Sequence, residues 1–239
     1  MNHDKEIARL TAVTIKTAIG PTIILGSGNY FDYVDPDGSE ITIEDVAYGI
    51  GYEGRFAGQC YSRILGRRAF YSSGQHSVLM SYAVDRGLEM EALMHEAGEA
   101  VCGDVTGPLK SLSPDYKAIE KNCERSILSK FGIEMKHKLE IKTADVRMFV
   151  TERRDLTAWN GEDWSVDGGG GVAPYEFRII PWTPDDSAQA FLDRYAELTQ
   201  PNFRSALLDR FCAEAGISNC RHSLEGSITQ RRSLRVHCP

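Results

Sequence analysis

The stretch His95-Glu-Ala-Gly-Glu-Ala-Val-Cys-Gly-Asp104 concentrates imidazole and carboxylate side chains, with His76 upstream of it and Lys142-Thr-Ala-Asp145 downstream. Imidazole nitrogen combined with carboxylate oxygen is a donor set for borderline divalent metals, and hydrolytic sites leave coordination positions open for water and substrate. His76, His95, Glu96 and Asp145 supply such a set. A metal there lowers the pKa of bound water from about 15.7 to about 7 and clamps a phosphoryl oxygen. Glu99 and Asp104 remain for proton transfer. Taken singly, each residue has an ordinary reading. A histidine on an apolar helix face is most often a hydrogen-bonded core residue, exposed glutamates are solvated helix charges, and Asp104 after Gly103 is a turn or cap residue. Their concentration within an Ala, Leu and Met segment favours the metal site.

Helices must position these groups. Residues three and four apart on a helix are neighbours, so one helix through His95 brings Glu96 and Glu99 toward a common cavity. Leu93, Met94, Ala97 and Val101 then turn to packing, and Gly103 ends the helix. A second helix, Ser72 to Arg86, carries His76 among Leu79, Met80, Ala83 and Val84. A third carries Asp145 among Leu139, Val146, Phe149 and Val150, so each helix offers a ligand inward. Elsewhere, Thr42 caps Ile43 to about Tyr52, where Val46, Ala47 and Ile50 recur at helical spacing. Ser113-Pro114 opens a helix to Phe131, with Pro at its favoured first position and Gly132 beyond its end. Asp186 to Thr199 and Asn202 to Ala215 form a C-terminal pair, with Phe191, Leu192, Tyr195, Leu198, Leu207, Leu208 and Phe211 as core residues. Thr22 to Leu25 with Tyr30 to Tyr33 makes a small hairpin, and Glu176 to Ile180 reads as a short extended piece.

Several segments in fixed order carry a family resemblance: Gly26 to Asp32, Ile43-Glu-Asp-Val-Ala47, Gly54-Arg-Phe56, Phe70 to Val78, His95 to Lys110, Asp115-Tyr-Lys-Ala-Ile-Glu120, Lys142 to Asp145, and Glu152-Arg-Arg-Asp-Leu156. In this order the chain resembles the HD-domain phosphohydrolases, in particular the branch of 5'-deoxynucleotidases and phage deoxynucleoside triphosphate hydrolases. The resemblance implies an all-α HD-domain helical bundle with a minor short hairpin. It further implies one divalent metal ion (Zn, Mn, Co, Fe or Mg) on His76, His95, Glu96 and Asp145, and an acidic pair, Glu99 and Asp104, that handles water and leaving group. Arg55, Lys110 and Tyr116 are the implied nucleotide contacts, and the implied substrate is a deoxynucleoside mono- or triphosphate. The chain departs from the family pattern in one place, carrying His95-Glu96 where the family has His-Asp. The added methylene shifts the carboxylate, although Glu is itself an ordinary oxygen ligand. That departure keeps a catalytically silent nucleotide binder as the alternative. His95-Glu-x-x-Glu99 also matches half of the zinc peptidase helix, but that motif needs a histidine at the fifth position.

Composition agrees with one globular unit. At 239 residues, 42% hydrophobic and 26% charged, the chain can bury a substantial core. We expect one domain over residues 1–239, with its core at about 26–156, the helical pair at 186–216 and a tail at 217–239. The net charge of −7 argues against broad nucleic-acid binding. Arg63, Arg67 and Arg68 form a local basic exception, solvated by default and suited to phosphate recognition as the sharper reading. No apolar run approaches the roughly 20 residues that cross a bilayer, and Met1-Asn-His-Asp-Lys-Glu lacks the features of a secretory signal. We therefore expect a cytoplasmic protein without a membrane partner, assembled as a homo-oligomer. The six cysteines form no Cys-x-x-Cys pair and are expected to stay reduced. Trp159 to Gly171 ends in four consecutive glycines and reads as a loop, either a lid over the site or a surface excursion. The basic end, Arg221 to Pro239, reads as disordered or as an oligomer contact.

Overall fold

A computed structural model describes residues 20–162, 164 and 171–217. The basic tail from Arg221 and most of the glycine-ended loop lie outside the described residues. The chain is all-α with minor hairpins. Strands β1 (Thr22–Ile24) and β2 (Tyr30–Asp32) pair antiparallel with Ile23 opposite Phe31, which is the expected hairpin. Helix α1 (Ile43–Tyr52) follows, its N-terminus closed by a reciprocal capping box. The Thr42 hydroxyl accepts from the Asp45 amide while the Asp45 carboxylate accepts from the Thr42 amide. Next come strands β3 (Tyr61–Ser62) and β4 (Arg67–Arg68), a second hairpin that the Arg63 to Arg68 charge run had concealed. Gly66, with φ at +63°, makes its turn.

Helix α2 (Ser73–Ala83) ends three residues earlier than its apolar pattern predicts. It is followed by α3 (Glu89–Met94), α4 (Glu99–Cys102), α5 (Gly107–Ser111), α6 (Pro114–Lys130), α7 (Lys138–Leu156), α8 (Pro184–Thr199) and α9 (Ala206–Ala215). The expected single helix through His95 is broken. The amides of Ala97, Glu99, Ala100 and Val101 bond to carbonyls three residues back, the tighter pattern of a 3₁₀ turn, and this joins α3 to α4. Gly98 permits it: a Cβ there would stand 3.0 Å from Glu124 Cβ, so α6 presses directly on the turn. Glu176 to Ile180 forms no strand either; the Arg178 amide bonds to the Ala215 carbonyl and the Ile179 amide to the Asp155 carboxylate. Helix α9 starts at Ala206, where the Ser205 hydroxyl caps the Leu208 amide, later than the expected Asn202.

One apolar cluster runs from Phe31 to Phe211 and draws on the hairpin, the central helices and the C-terminal pair alike. Leu93, Met94, Ala97 and Val101 are buried in it as expected, and so are Phe191, Leu208 and Phe211. Leu139, expected beside Asp145 in the core, is 77% exposed, because it lies in the first turn of α7 before that helix meets its neighbours. Helices α1, α2 and α8 cross at nearly backbone contact. A Cβ on Gly74 would lie 3.0 Å from Gly51 Cα, and one on Gly51 would lie 2.9 Å from Ala188 Cβ. This close stacking sets the depth at which α2 carries His76. Cys60, Cys102 and Cys123 are free thiols, as expected. Cys212 is disulfide-bonded, which corrects the expectation for that residue. Spacing along a chain does not report which thiols the fold brings within bonding distance. No helix among the described residues is long and apolar enough to cross a membrane.

Candidate metal centre and adjoining cavity

The site is built from α2, the turn after α3, and α7. Ser72 caps α2 by accepting from the Gln75 amide at 2.9 Å, which places His76 one turn into the helix and fully buried. His95 occupies the position after α3. Asp145 and Glu152 lie two turns apart along one face of α7. One ligand atom from each of His76, His95, Glu96 and Asp145 lies within 4.8 Å of the others. An ion about 2.0–2.2 Å from every ligand keeps opposed ligand atoms within roughly 4.4 Å, so the observed spread is close to a coordination shell.

The donor chemistry fits an ion more closely than the distances alone. His76 Nδ1 faces the Glu152 carboxylate at 2.5 Å and His95 Nδ1 faces the Ala92 carbonyl at 2.7 Å. Carboxylates and carbonyls only accept, so both Nδ1 atoms donate, and in the neutral imidazoles both Nε2 atoms present lone pairs. Those two Nε2 atoms are 3.2 Å apart. Asp145 Oδ1 stands 3.5 Å from His76 Nε2, and Glu96 Oε1 stands 3.5 Å from His95 Nε2. With both imidazoles neutral, four lone-pair bearers converge, an arrangement that a cation would complete. The carboxylate behind His76 is the usual second partner of a ligating imidazole. This group can hold a metal ion.

Electrostatics divide the acids into two kinds. Burial alone would raise the Glu96 carboxyl, but His95 and Arg55 outweigh it and hold it below its ordinary value. Asp145 is likewise held down against burial by His76, His95 and Lys142. Glu99 goes the other way. Burial first, then the charges of Glu96 and Asp104, push its carboxyl well above the ordinary range. Asp104 is raised too, chiefly by burial, with Glu96 adding to it and Arg55 opposing. Burial holds the His95 imidazole below its usual value, with Glu96 partly offsetting this. Two carboxylates held charged at the cluster thus sit beside two acids whose proton affinity burial raises, Glu99 much the more.

A cavity of about 930 Å³ opens over the cluster, bounded by Arg55, Glu99, Asp104 and Lys110 and walled by Phe56, Phe149 and Trp164. Phe149 stacks on Phe56 at 6.0 Å between centroids and meets Trp164 at 5.9 Å. A second cleft of about 1300 Å³ between α6 and α7 reaches the same His95 and Asp145. Arg55 enters the first cavity from a sharp turn, in which Phe56 and Ala57 adopt left-handed backbone with φ of 56° and 52°. An isolated bridge between Gly54 and Ser72 ties that turn to the start of α2. The guanidinium contacts Glu96 at 3.5 Å and Glu152 at 3.2 Å, while its buried Nε has no hydrogen-bond partner.

The structure thus brings together His95, Glu96, Asp145, Glu99, Asp104, Arg55 and Lys110 around one cavity, with His76 buried in the cluster beneath it. Tyr116 stands apart: its hydroxyl donates to the Gly103 carbonyl at 2.7 Å, and it is not among the cavity walls. Arg63 and Arg68 also face elsewhere, toward the Thr157 carbonyl and Gln59. Three site residues escaped the sequence reading. Glu152 is buried behind His76, Tyr71 donates to Glu152 at 2.8 Å, and Ser73 donates to Glu99 at 2.7 Å. The available signal for Glu152 was its position seven residues after Asp145, two turns along the same helix face.

Fold and site together define an α-helical protein with a two-histidine, two-carboxylate cluster beside a cavity. No family model matches the chain. It is 37% identical over 174 residues to the uncharacterized protein YfdR of Escherichia coli K12, an alignment spanning 73% of this chain and 93% of YfdR. An uncharacterized protein of Rhodobacter capsulatus is 30% identical over 115 residues, covering 45% of this chain and 56% of that protein. The chain belongs to the YfdR family.

Proposed function

We propose that the protein is a metal-dependent phosphohydrolase acting on nucleotides, with a deoxynucleotide as substrate. The observation that carries this reading is the pair of imidazoles with Nε2 lone pairs facing each other at 3.2 Å, flanked by Asp145 and Glu96. His76, His95, Glu96 and Asp145 would hold a divalent ion, and their nitrogen and oxygen donors suit Zn, Mn, Co or Fe better than Mg. When bound, such an ion supplies Lewis-acid chemistry, polarising a phosphoryl oxygen and acidifying water. Arg55, with a buried N–H to spare, binds the phosphoryl group. Glu99 holds a proton for the departing oxygen, with Ser73 fixing its other oxygen, and Asp104 takes the proton of the attacking water. The walls of Phe56, Phe149 and Trp164 offer stacking faces to a base. The resemblance to the HD-domain phosphohydrolases supports the same assignment. A peptidase reading loses support, because Glu99 is outside the clustered ligand set and the segment after His95 is a 3₁₀ turn.

The test is a screen of metal-reconstituted protein against nucleoside mono-, di- and triphosphates, reading inorganic phosphate and longer phosphate products. Release that His95→Ala abolishes is expected. No release from any nucleotide by a metal-loaded protein overturns the enzymatic reading.

A further inference from the structure

Glu152 touches no part of the cavity, yet three groups depend on it. It is fully buried, and both of its oxygens are engaged. Oε1 accepts from the Tyr71 hydroxyl at 2.8 Å and from His76 Nδ1 at 2.5 Å, and Oε2 accepts from Arg55 Nη2 at 3.2 Å. We propose that Glu152 is a positioning residue that assembles the metal site and the phosphoryl-binding cation together: its one carboxylate fixes His76 as an Nε2 donor and holds the Arg55 guanidinium at the cavity.

The argument is one of donor matching. A carboxylate can only accept, so it forces the imidazole proton onto Nδ1 and leaves the Nε2 lone pair for an ion. Its second oxygen anchors one end of the guanidinium, so that Arg55 Nε is held without a protein partner. An amide at this position cannot do both. It offers one oxygen and one NH₂ group, so the NH₂ group faces either the Arg55 guanidinium or His76 Nδ1. In the second case the imidazole proton moves to Nε2 and the ligand is lost. A purely structural ion pair with Arg55 would need neither the contact with His76 nor the one with Tyr71. The proposal rests on the reading of the four-residue cluster as a metal site, and its test separates the two.

The experiment compares the wild type with Glu152→Gln in two measurements. Long-range proton–nitrogen spectra of metal-free, ¹⁵N-labelled protein report which His76 nitrogen carries the proton. Competition with a chromophoric chelator reports zinc affinity. We expect Nδ1–H in the wild type, a shift toward Nε2–H in Glu152→Gln, and zinc affinity reduced by about 10–100-fold, the usual scale for losing the partner of a ligating histidine. Tyr71→Phe, which leaves the carboxylate in place, should lose less than about threefold by the same reasoning. An Nε2–H tautomer in the wild type, or a variant that keeps Nδ1–H and full zinc affinity, overturns the proposal. Should Glu152→Gln fail to fold, Glu152→Asp keeps the charge but withdraws it by one methylene; about tenfold weaker zinc binding is then expected, and unchanged binding overturns the proposal. A wild type that binds no zinc refutes the metal site, while the tautomer comparison still decides the role of Glu152.

Discussion

Helix α7 carries Asp145 near its middle and Asp155 at its C-terminal end, and the two carboxylates are treated in opposite ways. Asp155 is saturated. It accepts from Arg154 Nε and Nη2 at 2.7 Å each and from the Ile179 amide at 3.0 Å, with Arg178 Nε at 3.4 Å. Asp145 shares its space with Glu96 and two imidazoles whose Nε2 atoms face each other, and among the described residues it accepts a hydrogen bond from the largely exposed Lys142. The same residue type on one helix is thus a structural tie where donors meet every lone pair. It becomes a candidate ligand where acceptors crowd one another. Asp155 is fully buried and Asp145 partly exposed, but what separates their roles is the surplus of acceptors around Asp145.

If that contrast is right, the surroundings of the two aspartates should fail differently. The largest effect is expected from His95→Ala, which should reduce the co-purifying metal from about one per chain to near zero, since an ion with three of four ligands binds far more weakly. Elemental analysis giving equal metal in both proteins would end the assignment. Asp155→Ala should leave metal content alone and cost about 3–5 kcal/mol of stability, because it leaves Arg154 without its charge partner; a thermal melt within a few degrees of the wild type would contradict this. Glu99→Gln should keep metal and fold while lowering nucleotide turnover by roughly 10²-fold, the scale for a positioned acid. Loss of metal in that variant would move Glu99 into the ligand set.

Smaller effects sharpen the picture. Glu96→Asp restores the His-Asp pair of the resembled family, and the competing readings predict opposite signs. A carboxylate adapted to this packing loses activity when shortened, and we expect several-fold weakening. A many-fold gain over a nearly silent parent would instead establish a nucleotide binder. Gly74→Ala drives a methyl against Gly51 Cα and should cost about 1–3 kcal/mol, with metal affinity falling as α2 shifts; a neutral melt would show that the helix crossing is looser than it looks. The smallest effect concerns pH. Burial would raise the Asp45 carboxyl, but the Thr42 and Ser27 amides outweigh it and hold it below its ordinary value. Its contribution is therefore complete above the unfolded value of about 3.9 and is lost as pH falls through the lower folded value. Asp45→Asn should cost about 1 kcal/mol at neutral pH and flatten the acid limb of the stability curve.

Much of this was legible from residue types and spacing. The four clustered residues were readable because two histidines and neighbouring acids fall on helices that the pattern places together, and α1, α6 and the first hairpin because caps, Pro at a first helical position and glycine turns mark their ends. The break after His95 was not readable. Ala, Glu and Gly there satisfy a helical pattern, and only the pressure of α6 on Gly98 selects the tighter turn. Glu152 was hidden for a related reason. Among Glu152, Arg153 and Arg154 it looks like a solvated charge, and its neutralisation comes from Arg55, which lies 97 residues away in the chain.

The turn at Phe56 and Ala57 limits which substitutions can drift into the family. Two successive left-handed residues that are not glycine cost roughly 1–2 kcal/mol each, and this turn sets the direction in which Arg55 leaves the backbone. Glycine, asparagine or aspartate can occupy position 57 at lower cost, whereas valine, isoleucine and threonine are excluded by their branched Cβ. Ala57→Gly would relax the turn and free Arg55 to wander. Sequence change at this position is therefore filtered by backbone shape, ahead of any selection on the side chain itself.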